Sequence, residues 1–144
     1  MLRVALDTNI VISGLFFRGN ERELLIAGLT GKYILVMSRD IIEETKAIVK
    51  RKFAGSEHLE HAMIFLADMV SASEFHDEKY SGNLMESAKH YIRDSKDAVH
   101  VAFMLAVEPD IFVSGDGDFL EHATIGCTKI MTTKKAMKSL EIGR

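Results

Sequence analysis

Short apolar runs recur along this chain at residues 2–6, 33–37, 111–114 and 128–131, and stretches of helical length separate them. A run of four or five almost wholly apolar residues reads as a strand covered on both faces, the condition of a strand inside a parallel sheet. Parallel neighbours need a crossover connection, which the intervening helical stretches supply. The pattern predicts an α/β fold with a mostly parallel central sheet of about five strands and helices on both faces, residues 69–72 forming a brief edge strand.

The helical stretches carry their own start and stop signals. The first helix is expected to begin near Asn9 or Ile10, directly after the first strand. Residues 21–29 are amphipathic and run into the glycines at 28 and 31. Ser38 is placed to cap a helix over 39–52, where Ile41, Ile42, Ile48 and Val49 fall on one stripe. Residues 57–67 repeat that pattern, the polar stretch 74–83 reads as a mobile loop, and 84–92 as a further helix. From 98 to 107 almost every position except His100 is apolar, which predicts a helix buried on most sides and stopped by Pro109. Thr132 or Thr133 can cap a last helix ending at Leu140.

At 144 residues the chain has the length of one ordinary domain, taken here as residues 1–144. With 47% hydrophobic and 27% charged residues it can bury a core and is not intrinsically disordered. A lone cysteine, Cys127, excludes an intrachain disulfide, fits a reducing cytoplasm and is expected to be a small buried apolar group. The apolar residues 10–17 are broken by Ser13 and Gly14 and follow an acid, so they read as neither a secretion signal nor a membrane span. A net charge of −3 excludes broad electrostatic attraction to nucleic acid, and any such contact must be local.

The acids carry the chemistry. In an open parallel sheet, ligands bind beyond the carboxyl ends of the strands, where the winding direction reverses. Asp7 closes the first strand, and Asp116 and Asp118 follow the strand at 111–114. Asp94 and Asp97 stand at the head of the apolar helix, three residues apart and at the positive end of its dipole. Glu44 lies three residues after Ile41 and four before Ile48, so it shares the buried stripe, whereas Glu43 points toward solvent. Hard oxygen donors without a His/Cys cluster suit Mg2+ or Mn2+ better than zinc. Two such ions can activate water and stabilise the leaving oxygen of a phosphodiester. Asn9 and Ser114 are expected to orient the ligands by hydrogen bonds.

Simpler roles exist for several of these residues. Asp94 and Asp97 can cap a helix, and Asp116-Gly-Asp118 can be an ordinary turn. His100, one turn beyond Asp97, reads as a hydrogen-bonded core histidine or as a residue at the edge of the site. Lys50, Arg51 and Lys52 complement a helix dipole or touch phosphate. Arg18, Lys134, Lys135 and Lys138 can flank an RNA channel if the fold puts them on one surface.

In order and placement these residues resemble the PIN-domain ribonucleases, including the toxin components of prokaryotic toxin-antitoxin pairs. The resemblance covers nearly the whole chain. Asp7-Thr8-Asn9 looks like the family's opening motif, Ser38 with Glu44 like the second, Asp94-Ser-Lys-Asp97-Ala98 like the third, and Ser114-Gly-Asp116-Gly-Asp118-Phe119 like the last. It implies a three-layer α/β/α sandwich and a Mg2+- or Mn2+-dependent endoribonuclease, commonly a homodimer and, in toxin pairs, inhibited by an antitoxin protein. Asp7, Glu44, Asp97 and Asp116 are carried over as the catalytic acids, and Asp94 and Asp118 as further metal ligands. Two other readings compete: a non-catalytic PIN-fold module that binds RNA or protein, and a phosphoacceptor receiver domain. Acids on helices at Glu44 and Asp97 disfavour the receiver.

Overall fold

A computed structural model describes residues 1–143. In chain order the elements are β1 (Arg3–Leu6), α1 (Thr8–Phe16), α2 (Asn20–Leu29), β2 (Ile34–Ser38), α3 (Arg39–Lys52), α4 (Leu59–Ala72) and β3 (Glu74–His76). There follow α5 (Asn83–Tyr91), α6 (Ser95–Val107), β4 (Ile111–Val113), α7 (Gly117–Leu120), β5 (Thr124–Ile125), β6 (Thr128–Met131) and α8 (Thr133–Ser139). The strands form one sheet in the order β3-β2-β1-β4-β6-β5. Every pairing is parallel except β5 with β6.

Strand periodicity divides the core. Val4, Leu6, Leu35, Met37, Ile111 and Val113 point to one face, where α1, α2, α3, α4 and α8 cover them. Ala5, Val36 and Phe112, in register across the three central strands, point to the other, against α5, α6 and α7. With apolar side chains on both faces, the central strands are the continuous runs visible in the sequence. The outcome is the expected α/β/α sandwich. Among the described residues no helix is long and apolar enough to cross a membrane.

The winding places the site. From β1 the chain moves outward through β2 and β3, then returns to the far side of β1 for β4 and β6. The reversal therefore falls between β1 and β4, so Asp7 and the segment 114–118 leave the sheet side by side.

Four expectations differ from the structure. The sheet has six strands, not about five. Residues 69–72 are the last turn of α4, because Ala62, Leu66 and Met69 continue one buried helical stripe. The edge strand is β3, inside the segment expected to be a loop, and Arg3 anchors its Glu74 with a bidentate contact of 3.0 and 2.6 Å. Cys127 is exposed, because it sits with Gly126 in the two-residue turn joining β5 to β6. Gly126 takes a positive φ of 58°, which a hairpin turn this tight favours.

Candidate active site

Asp7 follows β1 and caps α1. Its Oδ1 accepts from the Thr8 backbone N–H at 2.8 Å and its Oδ2 from the Ser114 hydroxyl at 2.8 Å. The residue is only 6% exposed, and its own backbone N–H continues the ladder onto the Val113 carbonyl. Burial raises the Asp7 pKa above the usual carboxylate range; the Ser114 and Thr8 hydrogen bonds and His100 oppose the rise, and the charge of Glu44 adds to it. Ser114 also accepts from the Asp116 backbone N–H at 3.0 Å, so one buried hydroxyl ties the ends of β1 and β4 together.

Glu44 comes from α3, whose start is fixed as expected by Ser38 accepting from the Ile41 N–H. Glu44 is half-buried and Glu43 exposed, which follows their helical phase. The Thr8 hydroxyl donates to Glu44 Oε1 at 2.6 Å, and His100 Nε2 lies 3.0 Å from the same oxygen. These contacts, the histidine's foremost, hold the Glu44 carboxyl below its ordinary pKa. Among the described residues Oε2 makes no hydrogen bond and is left to the site.

The third group joins α6 to α7. One carboxylate oxygen each from Asp97, Asp116 and Asp118 lies within 4.8 Å of the others. Burial, then the charges of Asp94, Asp116 and Asp7, push the Asp97 carboxyl up to about 6. Asp94 caps α6 through one oxygen, accepting from the Lys96 and Asp97 backbone N–H groups at 2.9 and 3.1 Å. Asp116 likewise caps α7, accepting from the Asp118 N–H at 2.9 Å. In each case Oδ1 takes the capping bonds and Oδ2 is uncommitted among the described residues, so capping and ligand binding do not compete for one atom.

Among the described residues no lysine or arginine forms a salt bridge with Asp7, Asp94, Asp97, Asp116 or Asp118. Of these acids' basic neighbours, His100 bonds Glu44 and eases the charge of Asp7 and Asp97 only in part. That donor set, all carboxylate oxygen, fits a hard divalent cation such as Mg2+ or Mn2+.

Of the two residues expected to orient ligands, Ser114 is fully buried and bonded to both sides of the site. Asn9 is exposed, and among the described residues its side chain makes no hydrogen bond. Thr8 was without a role in the sequence reading, and its hydroxyl steadies Glu44. His100 proves to be both of the things its sequence position allowed: 4% exposed and hydrogen-bonded, with the site's own acid as its partner. The sequence signal for it was a single polar residue in an apolar helix, one turn after Asp97.

A family model described as the PIN domain matches residues 3–118. A search of curated proteins returned no match. Among solved structures, PAE2754 from Pyrobaculum aerophilum superposes with a TM-score of 0.69 at 13% identity, over 97% of this chain and 90% of that one. VapBC2 from Rickettsia felis, solved bound to a DNA fragment from its promoter, gives 0.61 at 13% identity over 90% of this chain and 98% of that one. VapC20 from Mycobacterium tuberculosis, described as a toxin that cleaves the sarcin-ricin loop, gives 0.56 at 16% identity over 88% and 98% respectively. At such identities the structural matches speak for the fold, and the family model adds the sequence match. With its acids gathered at the switch point of a sheet of this topology, the chain belongs to the PIN-domain family.

Proposed function

We propose that residues 1–144 form one PIN-like domain that hydrolyses RNA phosphodiester bonds, with Mg2+ or Mn2+ held by Asp7, Glu44, Asp97 and Asp116 and assisted by Asp94 and Asp118. The observation that carries this reading is the convergence of Asp97, Asp116 and Asp118, one carboxylate oxygen of each within 4.8 Å of the others, with burial and the neighbouring acids pushing Asp97 up to about 6. Such a concentration of like charge is stabilised by a cation. Bound there, the metal supplies charge to offset the substrate's phosphate and activates the attacking water. The chain's own groups fix the carboxylates: Ser114 and the Thr8 N–H set the Asp7 carboxylate plane, while the Thr8 hydroxyl and His100 hold Glu44 with one oxygen toward the site.

The likeness in fold to VapBC2 and to the toxin VapC20 supports a toxin role, and the same proposal takes in a cytoplasmic location and an antitoxin protein as partner. The exposed apolar residues Phe17 after α1, Ile26 on α2 and Ile64 on α4 favour a protein contact, an antitoxin or a second copy in a homodimer. The purified chain should cleave single-stranded RNA in Mg2+ or Mn2+, and Asp7→Asn should abolish cleavage with an unchanged circular-dichroism spectrum. Equal cleavage by the variant would sink the assignment, and RNA binding without turnover would favour the non-catalytic module.

A further inference from the structure

Two hollows flank the acid cluster, and only one of them adjoins a group of lysines. Between α3 and α6 lies a groove of about 320 Å3 with Asp40, Glu43 and Glu44 facing a single Lys96. On the other flank, a cleft of about 300 Å3 holds Asp94 and Asp118 together with Arg93 and Glu121. Glu121 also lines the next groove, of about 820 Å3, where Lys129, Lys135 and Lys138 gather around His122 and Thr132. The cleft and this groove are neighbours that share Glu121. The wall between them is the Tyr91–His122 pair, with ring centroids 5.8 Å apart. Because α7 is four residues long, or about 6 Å, the lysine groove opens about one helical turn from Asp116.

The three lysines are exposed, and among the described residues none is in a salt bridge. Three ammonium groups stand against the single carboxylate of Glu121, in a chain whose net charge is −3. This is the local basic contact that a polyanion requires on an acidic protein. We infer that single-stranded RNA leaves the acid cluster on this side, passing Arg93 and α7 and laying its phosphates against Lys129, Lys135 and Lys138. The groove between α3 and α6 offers no such group of lysines, its charged lining being Asp40, Glu43, Glu44, Lys96 and His100. The inference rests on the RNA reading above and adds which surface carries the strand.

Binding of a fluorescein-labelled single-stranded RNA to the full chain in Mg2+, on the Asp7→Asn background and at several salt concentrations, tests it. Lys135→Gln with Lys138→Gln should weaken binding about tenfold and lower the slope of log affinity against log salt by about 1.4, the value for two phosphate contacts on a single strand. Lys50→Gln with Lys52→Gln removes the same charge at the end of α3 and should leave affinity within twofold. Unchanged binding in the groove variant, an equal loss in the α3 variant, or preference for poly-glutamate over RNA would each overturn the inference. The two readings separate cleanly. A wild-type chain that binds through these lysines without cleaving overturns the hydrolase alone; one that cleaves but binds equally without them overturns the groove alone.

Discussion

His100 Nε2, on α6, lies 3.0 Å from Glu44 Oε1, on α3, and thereby couples the helices that carry two of the site's acids. Burial lowers the histidine's proton affinity, but its bond to Glu44 and the charges of Glu44, Asp7 and Asp97 outweigh that and raise its pKa. A charged or strongly polarised imidazole at this contact orients the carboxylate without touching substrate. His100→Ala should lower kcat or metal affinity by about 10- to 100-fold, the usual cost of losing such a supporting bond, with KM for RNA little changed. His100→Gln, which retains an N–H donor, should recover part of the loss. Calorimetric titration with Mn2+ and steady-state cleavage distinguish the cases, and kcat within twofold of wild type for His100→Ala would remove the positioning role.

Ser114→Ala tests the tie between the two strand ends. The hydroxyl donates to Asp7 Oδ2 and accepts from the Asp116 N–H, and the residue is fully buried. Its removal leaves a buried carboxylate oxygen without a donor, a loss of about 1–3 kcal/mol in urea unfolding. Asn9→Ala removes an exposed side chain with no hydrogen bond among the described residues, and should stay within about 0.5 kcal/mol of wild type. Equal losses in both variants would contradict the different places these residues hold.

Asp97→Asn should separate stability from activity. The folded carboxyl titrates at about 6 against an ordinary 3.8, so between those values the folded chain binds more protons than the unfolded one. Stability from this group is fully present below 3.8 and is lost as pH rises to about 6. At pH 7 without metal, Asp97→Asn should therefore stabilise the chain, by about 1 kcal/mol after allowance for solvent screening, while abolishing cleavage. Differential scanning calorimetry in EDTA and in Mg2+ checks the sign: the variant melts higher in EDTA, and the gap closes or reverses in Mg2+. A variant that melts lower in EDTA would show that the acids are not in conflict.

Much of this site was legible because it depends on features that repeat within one element. Asp7 and Asp116 follow buried strands, and Glu44 is separated from Glu43 by helical phase, so burial patterns located all three. The sheet edges were harder to read. β3 and β5 are three and two residues long, too short for an alternation to show, and β3 is held by Arg3 from a distant part of the chain. His100 and Thr8 were illegible as partners of Glu44 for the same reason: their contacts span 56 and 36 residues of sequence and form only in the folded chain. Cys127 misled because its tendency to be buried gave way to the position of a hairpin turn.

The ion pair between Arg3 and Glu74, at the end of the sheet away from the acids, should govern part of the chain's acid resistance. Arg3 donates through Nε and one terminal nitrogen to the two oxygens of Glu74, and that bond above all holds the Glu74 carboxyl at about 2, well below its ordinary 4.5. A depressed folded pKa gives stability that is fully present above 4.5 and is lost as pH falls toward about 2. Because the Glu74 side chain is 34% exposed, solvent screening leaves a contribution of about 1 kcal/mol. Glu74→Gln should therefore unfold at lower urea than wild type at pH 7, and the difference should shrink steadily from pH 5 to pH 2. A gap of constant size across that range would mean that packing of β3 at the sheet edge, and not the charge on Glu74, sets the effect.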